Sequence, residues 1–185
     1  MTFTNTRATK KLLKLKRRLR AVCGGTSAGK TISILMILID HAMKETSAGQ
    51  TISVVSESFP HLRKGAMKDF KDILEGHGYW RDKLWNETNH NYAFPGGATI
   101  EFFSADQPDK VRGPRRDILF INEANNIPYE TFTQLEVRTK KVIWLDWNPV
   151  SEFWYYEEIR GNEKNKHDFI TLTYKDNESL AESIV

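Results

Sequence analysis

Cysteine is nearly missing from this sequence, with one residue, Cys23, in a chain of 185. A single thiol excludes an internal disulfide and fits a reducing compartment. Cys23 reads as a small buried strand residue before it reads as a nucleophile. Long apolar runs are missing too: the longest, Ile34 to Ile39, is far short of the roughly 20 residues that cross a bilayer. The basic N-terminus is not followed by an apolar stretch, so no secretory signal is expected. There is no internal repeat and no low-complexity segment. His41, His61, His77, His90 and His167 show no metal-ligand spacing, and no Ser/His/Asp or Cys/His grouping suggests nucleophilic catalysis.

Acidic residues are absent from the first 20 positions, which carry Arg7, Lys10, Lys11, Lys14, Lys16, Arg17, Arg18 and Arg20. Of 27 basic and 24 acidic residues in all, those eight leave 19 basic against 24 acidic, a net of −5 beneath a total of +3. A basic arm on a mildly acidic body suits a polyanion that touches one region, or a solvated tail. Leu12, Leu13, Leu15 and Leu19 indicate that the arm is partly helical and partly packed. With 39% hydrophobic and 28% charged residues, the remainder is a globular chain long enough for one full core.

Against that background one stretch stands out, Gly24-Gly25-Thr26-Ser27-Ala28-Gly29-Lys30-Thr31. It fits G-x-x-x-x-G-K-[ST], a P-loop, whose glycines let successive backbone N–H groups point at phosphate oxygens. Lys30 is placed to reach the β- and γ-phosphates, and the Thr31 hydroxyl to meet Mg²⁺. Residues 19–23 supply an entering strand, and Thr31 to Met43 read as a helix apolar nearly all round, hence buried.

Further along, Thr51 to Ser56 reads as a strand, and Pro60 to about Glu75 as one helix ended by Gly76 and Gly78. Aromatic residues 79–104 flank Pro95-Gly96-Gly97 as an inserted hairpin. A polar loop from Asp106 to Arg116, holding Arg112, Arg115 and Arg116, leads into the apolar strand 118–121. A helix from Pro128 to about Arg138, a strand from Val142 to Trp147, a helix through Phe153 to Tyr156 and a strand from Phe169 to Tyr174 complete the chain. This alternation predicts an α/β fold, a mostly parallel sheet sandwiched by helices. With the P-loop and the acid Glu123, the expectation is a P-loop NTPase of the additional-strand, catalytic-glutamate type with an inserted β-hairpin.

Ligands in such sheets sit at the carboxyl ends of the strands. Asn122-Glu123 therefore stand where a Walker B motif belongs, with Glu123 as the base that activates water and Asn122 on the metal side. An amide there can meet the metal only through a water and adds no charge, which weakens the case for hydrolysis; Glu123 as a helix-capping acid is the other reading. Asn148 ends the next strand as a candidate γ-phosphate sensor, while Asp146 is expected to face elsewhere. Arg112 is a candidate arginine finger acting on a neighbouring subunit. Asn165-Lys166-His167-Asp168 matches the guanine-reading NKxD pattern but precedes its strand instead of following it, so it reads as a loop and ATP as the nucleotide.

GGTSAGKT, KVRGPRRDILFINEA and VIWLDWNP followed by EFWYYEEI together resemble the ATPase domain of the large terminase subunit of tailed bacteriophages, over roughly residues 19 to 180. The resemblance implies an ATP- and Mg²⁺-dependent motor that packages double-stranded DNA. Lys30 and Thr31 would be the phosphate and Mg²⁺ contacts, Glu123 the catalytic glutamate, Arg112 the finger in trans and Asn148 part of the coupling motif. It also implies self-assembly into a ring, a small terminase subunit and a portal as partners, no membrane, and the cytoplasm of an infected bacterium. Residues 1–18 would be the arm, 19–175 the ATPase domain and 176–185 the start of a linker to an RNase H-like nuclease domain, with no nuclease activity expected here. Two other readings stand beside the motor. One is a nucleotide-binding assembly module with little turnover, suggested by Asn122. The other is a different P-loop enzyme, a helicase-like ATPase or a small-molecule kinase.

Overall fold

The computed structural model describes residues 6–149 and 152–178. The chain begins with helix α1 (Arg7–Leu12), strand β1 (Leu19–Gly24), helix α2 (Lys30–Ala42) and strand β2 (Thr51–Ser56). Helices α3 (Phe59–Lys64) and α4 (Ala66–Gly76) follow, then strands β3 (Trp85–Asn86), β4 (Asn91–Ala93) and β5 (Thr99–Ser104). Helix α5 (Pro108–Val111), strand β6 (Arg116–Ile121), helix α6 (Tyr129–Glu136), strand β7 (Thr139–Trp147) and strand β8 (Asp168–Leu172) complete it. A widened helical turn, Tyr155–Arg160, precedes β8.

The strands form one sheet in the order β3-β4-β5-β2-β6-β7-β1-β8. From β5 to β8 every neighbouring pair is parallel, and β4 and β3 continue the β5 edge antiparallel. Parallel strands require crossovers, which place helices on both faces and bury the strands on both sides. Side-chain parity sorts the core accordingly. Val22, Val54, Ile118, Phe120 and Trp144 share one cluster with α2 and α4, while Cys23, Val55, Leu119, Ile121, Leu145 and Trp147 share the other with α6 and the 155–160 turn.

The mostly parallel, helix-covered sheet is the one the sequence predicts. The hairpin through Pro95-Gly96-Gly97 is present, and its second strand, β5, is also a parallel strand of the main sheet. Three local expectations need correction. The helix over residues 60–75 is two helices, broken at Gly65, whose φ −104°, ψ −102° few residues other than glycine adopt. The P-loop helix, apolar nearly all round, is not buried all round, since Ile32 is exposed. Arg116 is not a loop residue but opens β6 and is 1% exposed. Its guanidinium donates to Ser53 Oγ at 3.0 Å and to the carbonyls of Leu135 and Pro114, so its donors are satisfied inside the fold.

The two ends of the described chain meet beside the P-loop helix, and the C-terminal end reaches the loop itself. Helix α1 packs on α2 with Ala8 and Leu12 in the core, as the leucine pattern indicates. After β8, the turn Tyr174–Asp176 is capped reciprocally by Thr173 and Asp176. Lys11 Nζ donates to Asp176 Oδ1 at 2.6 Å, Arg7 pairs with Glu178 at 3.2 Å, and Asn177 Nδ2 donates to the Ser27 carbonyl at 3.0 Å. Residues 1–5 of the expected arm and 179–185 of the expected linker lie outside the described residues.

Burial would raise the Asp176 carboxyl, but the bonds from Lys11 and the Thr173 N–H outweigh it and hold the group below its ordinary value of 3.8. The Lys11–Asp176 pair therefore stabilises the fold at neutral pH, and its contribution fades as pH falls through the depressed folded-state value. Lys11→Met is expected to lower unfolding stability by about 1 kcal/mol near pH 7, with the difference from the natural chain shrinking as pH falls through the depressed Asp176 value, measured by urea unfolding.

Candidate nucleotide site

Four strand ends bring the site together, and the parity of the strands decides what faces it. Residues two apart on a strand share a face. Phe120 and Trp144 point to the α2 side, so Asn122 and Asp146, two residues on, point there as well. The pairing Ile121↔Leu145 makes them neighbours. The expectation that Asp146 faces elsewhere is thus incorrect. Asp146 is fully buried against the first turn of α2, where the Thr31 hydroxyl donates to its Oδ2 at 2.6 Å. The Asn122 amide donates to Asp146 at 3.1 and 3.3 Å and to Thr31 Oγ1 at 3.3 Å, while its oxygen accepts from Ser56. Burial pushes the Asp146 carboxyl up from the ordinary aspartate value, against the bonds from Thr31 and the Glu123 N–H, the charge of Lys30 and the Asn122 bond.

Glu123 sits in the left-handed region, φ 54°, ψ 58°, an uncommon conformation for a residue with a side chain. Its N–H donates to Asp146 Oδ1 at 2.7 Å. That turn carries the Glu123 carboxylate off the strand axis to a contact with the His61 imidazole and to Asn126 Nδ2 at 3.3 Å. His61 lies in the first turn of α3, and the break at Gly65 orients that helix independently of α4.

In the P-loop the two defining glycines answer different demands. Gly29 adopts φ 72° at the start of α2. At Gly24 a Cβ would lie 2.5 Å from the Leu172 carbonyl of β8, whereas at Gly25 it would meet nothing within 4 Å. Lys30, 6% exposed, directs Nζ to Asn148 Oδ1 at 2.6 Å and to the Gly25 carbonyl at 3.4 Å. Thr26, Gly29, Lys30, Thr31, Asp69, Glu123 and Asn148 line one cavity of about 180 Å³. A second, of about 620 Å³, adjoins it along Gly24 to Ala28 and is walled by Pro149 and Leu172 to Tyr174.

Most of the residues expected from sequence thus converge: residues 24–31, Asn122, Glu123 and Asn148. Arg112 does not join them; it is exposed after α5, its Nε donating to Gln134 of α6 at 3.3 Å. Asp146, His61 and Asp69 are the residues that sequence reasoning missed. The signal for Asp146 was available, because it stands two residues before Asn148 and so on its side of the strand. Of the NKxD match, residues 165–167 are loop and Asp168 opens β8, where its carboxylate accepts the backbone N–H groups of Lys16 and Arg17 at 2.7 and 2.8 Å. Cys23 is buried, which pushes its thiol up, away from reactivity.

Among the described residues no group of three His, Cys, Asp or Glu side chains could hold a metal ion. The donor set present, a threonine hydroxyl beside a buried carboxylate, fits instead a hard cation that brings phosphate oxygens with it.

A family model described as phage terminase large subunit matches residues 16–185. No curated protein matches the chain. Among solved structures, the large terminase of a thermophilic bacteriophage has a TM-score of 0.83 at 19% identity over 98% of this chain and 49% of that one. The same thermophilic-phage terminase in complex with ATP-gamma-S gives a TM-score of 0.80 at 20% identity, over 98% and 48%. The ATPase domain of the Thermus phage P74-26 large terminase gives 0.64 at 16% identity, over 92% and 81%. These identities speak for a shared fold, and the chain spans about half the length of the thermophilic-phage terminase.

The unequal surroundings of the two first P-loop glycines give a direct check. Gly24→Ala is expected to lose about 1–3 kcal/mol of stability through overlap with β8, and Gly25→Ala to remain near the natural value, compared by thermal or urea unfolding.

Proposed function

The chain belongs to the phage terminase large-subunit family, and from that premise we propose that it is the ATP-hydrolysing part of a motor that drives double-stranded DNA into a viral procapsid. The observation that carries this reading is the convergence of Lys30, Thr31, Glu123 and Asn148 on one cavity at the head of the P-loop helix. The β- and γ-phosphates would take the place beside Lys30, with the backbone N–H groups at the start of α2 directed at them. The base would lie in the adjoining cavity against Pro149 and Tyr174. Mg²⁺, held through Thr31 with Asn122 and Asp146 behind it, would neutralise charge on the transferred phosphoryl group.

Glu123 is the general base of this reading. Its carboxylate, now engaged by His61, lines the same cavity as Lys30 and is within the elements that would orient a water. Lys30 is engaged by Asn148, so a γ-phosphate that draws Lys30 toward itself would release Asn148 at the end of β7. That exchange is a physical route from nucleotide state to movement, the role of a coupling residue. Arg112, exposed and outside its own chain's phosphate cavity, suits a finger that completes a neighbour's site in a ring.

DNA would be held through its phosphates, independently of sequence and with strong salt dependence. Arg7, Lys11 and Arg18 of the basic segment are engaged in ion pairs within the chain, and Arg20 lies over the Trp144 ring with its Nε on the Arg17 carbonyl, which leaves Lys10, Lys14, Lys16 and Arg17 as the candidates for that contact. The small terminase subunit, the portal and the cytoplasm of an infected bacterium complete the reading. Among the described residues no helix is long and apolar enough to cross a membrane.

A second reading, an assembly module that binds ATP and barely turns it over, is favoured by Asn122 in place of an acidic residue. Steady-state hydrolysis separates the two. Specific activity is expected to rise with protein concentration. Glu123→Gln is expected to lose about 10²–10⁴-fold and Arg112→Ala about 10³-fold or more, both still binding ATP. Equal inactivity of the natural chain and Glu123→Gln at every concentration would favour the assembly module.

A further inference from the structure

A P-loop that binds nucleotide with a divalent cation needs an anionic side chain beside the loop's Ser/Thr hydroxyl, a place ordinarily filled from the strand that also carries the catalytic acid. Here that strand, β6, ends in Asn122, which brings no charge. The neighbouring strand supplies one. Asp146 of β7 is 0% exposed, and the Thr31 hydroxyl donates to it at 2.6 Å. We propose that the aspartate of the cation site has moved one strand over, and that Asp146 is the carboxylate that holds the divalent cation, through its water shell, against the nucleotide phosphates. This rests on the reading of the cavity as a nucleotide site and names the residue that supplies its charge.

Three further observations point the same way. The donors around Asp146 are neutral: the Thr31 hydroxyl, the Asn122 amide and the Glu123 N–H, and among the described residues it forms no ion pair with a cationic side chain. A buried carboxylate offset only by the more distant charge of Lys30 is costly, and a cation arriving with the phosphates reduces that cost. Second, the Asn122 amide turns its nitrogen, the donor side, to both Asp146 and Thr31 and its oxygen to Ser56. Asn122 therefore steadies Asp146. Third, the pairing of Ile121 with Leu145 sets positions 122 and 146 side by side, and the amide nitrogen already lies 3.1 Å from the carboxylate. Two carboxylates at that separation would repel, so an aspartate at 146 and an amide at 122 belong together.

The same geometry gives Asp146 a link to the base. By accepting the Glu123 N–H at 2.7 Å it holds the left-handed turn that presents the Glu123 carboxylate. One side chain thus touches the hydroxyl that meets the cation and the backbone of the residue that would activate water.

The test is binding of a fluorescent ATP analogue by the full chain in Mg²⁺ and in EDTA, with hydrolysis playing no part. The natural chain is expected to bind more tightly with Mg²⁺. Asp146→Asn should lose that Mg²⁺-dependent gain, by about 10- to 100-fold, while keeping its affinity in EDTA. Asn122→Asp alone should weaken Mg²⁺-dependent binding, and the double exchange Asn122→Asp with Asp146→Asn should recover it. A folded Asp146→Asn protein that keeps the natural Mg²⁺ gain overturns the assignment, since a merely structural carboxylate would leave the ratio unchanged. Should the variants not fold, the natural chain labelled with ¹³C in its aspartate carboxyl groups and loaded with Mn²⁺ and ADP decides. Electron–nuclear coupling from one aspartate carboxyl carbon to Mn²⁺ is expected, and its absence overturns the proposal. No binding of the analogue by the natural chain in either condition would instead remove the nucleotide reading itself.

Discussion

A parallel strand buried on both faces can carry a polar side chain within its length only where a partner is buried with it, as Ser53 is with Arg116. Most polar groups therefore gather where strands end, and this constraint places nearly every group of the site. Strands β2, β6 and β7 run apolar over Val54–Val55, Ile118–Ile121 and Val142–Leu145 and then present Ser56, Asn122 and Asp146 in adjoining positions on the α2 side. The row ends on Thr31, in the first turn of the P-loop helix. Each member is satisfied by the next, so a hydrogen-bonded line runs across the sheet from β2 to the phosphate loop. Because it is fixed by strand register, it is held by the sheet itself, which is what the proposed recognition of a phosphate and a cation together would require.

Around that fixed line sit groups with more than one available partner. Lys30 is shared between Asn148 and the Gly25 carbonyl, and Glu123 between His61 and Asn126. In the proposed function a triphosphate would compete for the lysine and a catalytic water for the glutamate. On that reading the groups that would respond to nucleotide are those whose present bonds are replaceable, while Asp146 and Thr31 beneath them are held. The P-loop is clasped from outside as well, by Asn177 on the Ser27 carbonyl and by the Lys11–Asp176 pair that ties the two ends of the described chain together.

Much of this was legible in the sequence, and the reasons are physical. The P-loop is a local pattern whose spacing is set by the ligand. The strands 19–24, 51–56, 116–121 and 139–147 carry apolar runs too short for helices and are bounded by polar residues. Glu123 and Asn148 followed from the rule that ligands lie at strand carboxyl ends. Asp146 was within reach and was misread, since its distance of two from Asn148 places both on one face. His61 and Asp69 were not legible. They reach the site through the break at Gly65 and the packing of α4, and the apolar stripe over residues 62–74 is continuous across that break. Arg116 shows the opposite failure: a charge in a Gly/Pro-rich stretch reads as surface, yet the fold buries it among carbonyls supplied by α6 and its own loop.

The central claim is that the chain hydrolyses ATP at a site completed by a neighbour's Arg112. Such a head-to-tail interface takes its glutamate from one subunit and its arginine from the next. The most direct measurement is to mix inactive Glu123→Gln and Arg112→Ala proteins in equal amounts and follow phosphate release. The account predicts recovery to about a quarter of the natural rate, because random assembly pairs an intact glutamate with an intact arginine at about one interface in four. A mixture that stays as inactive as its components, at concentrations where the natural chain is active, would contradict it.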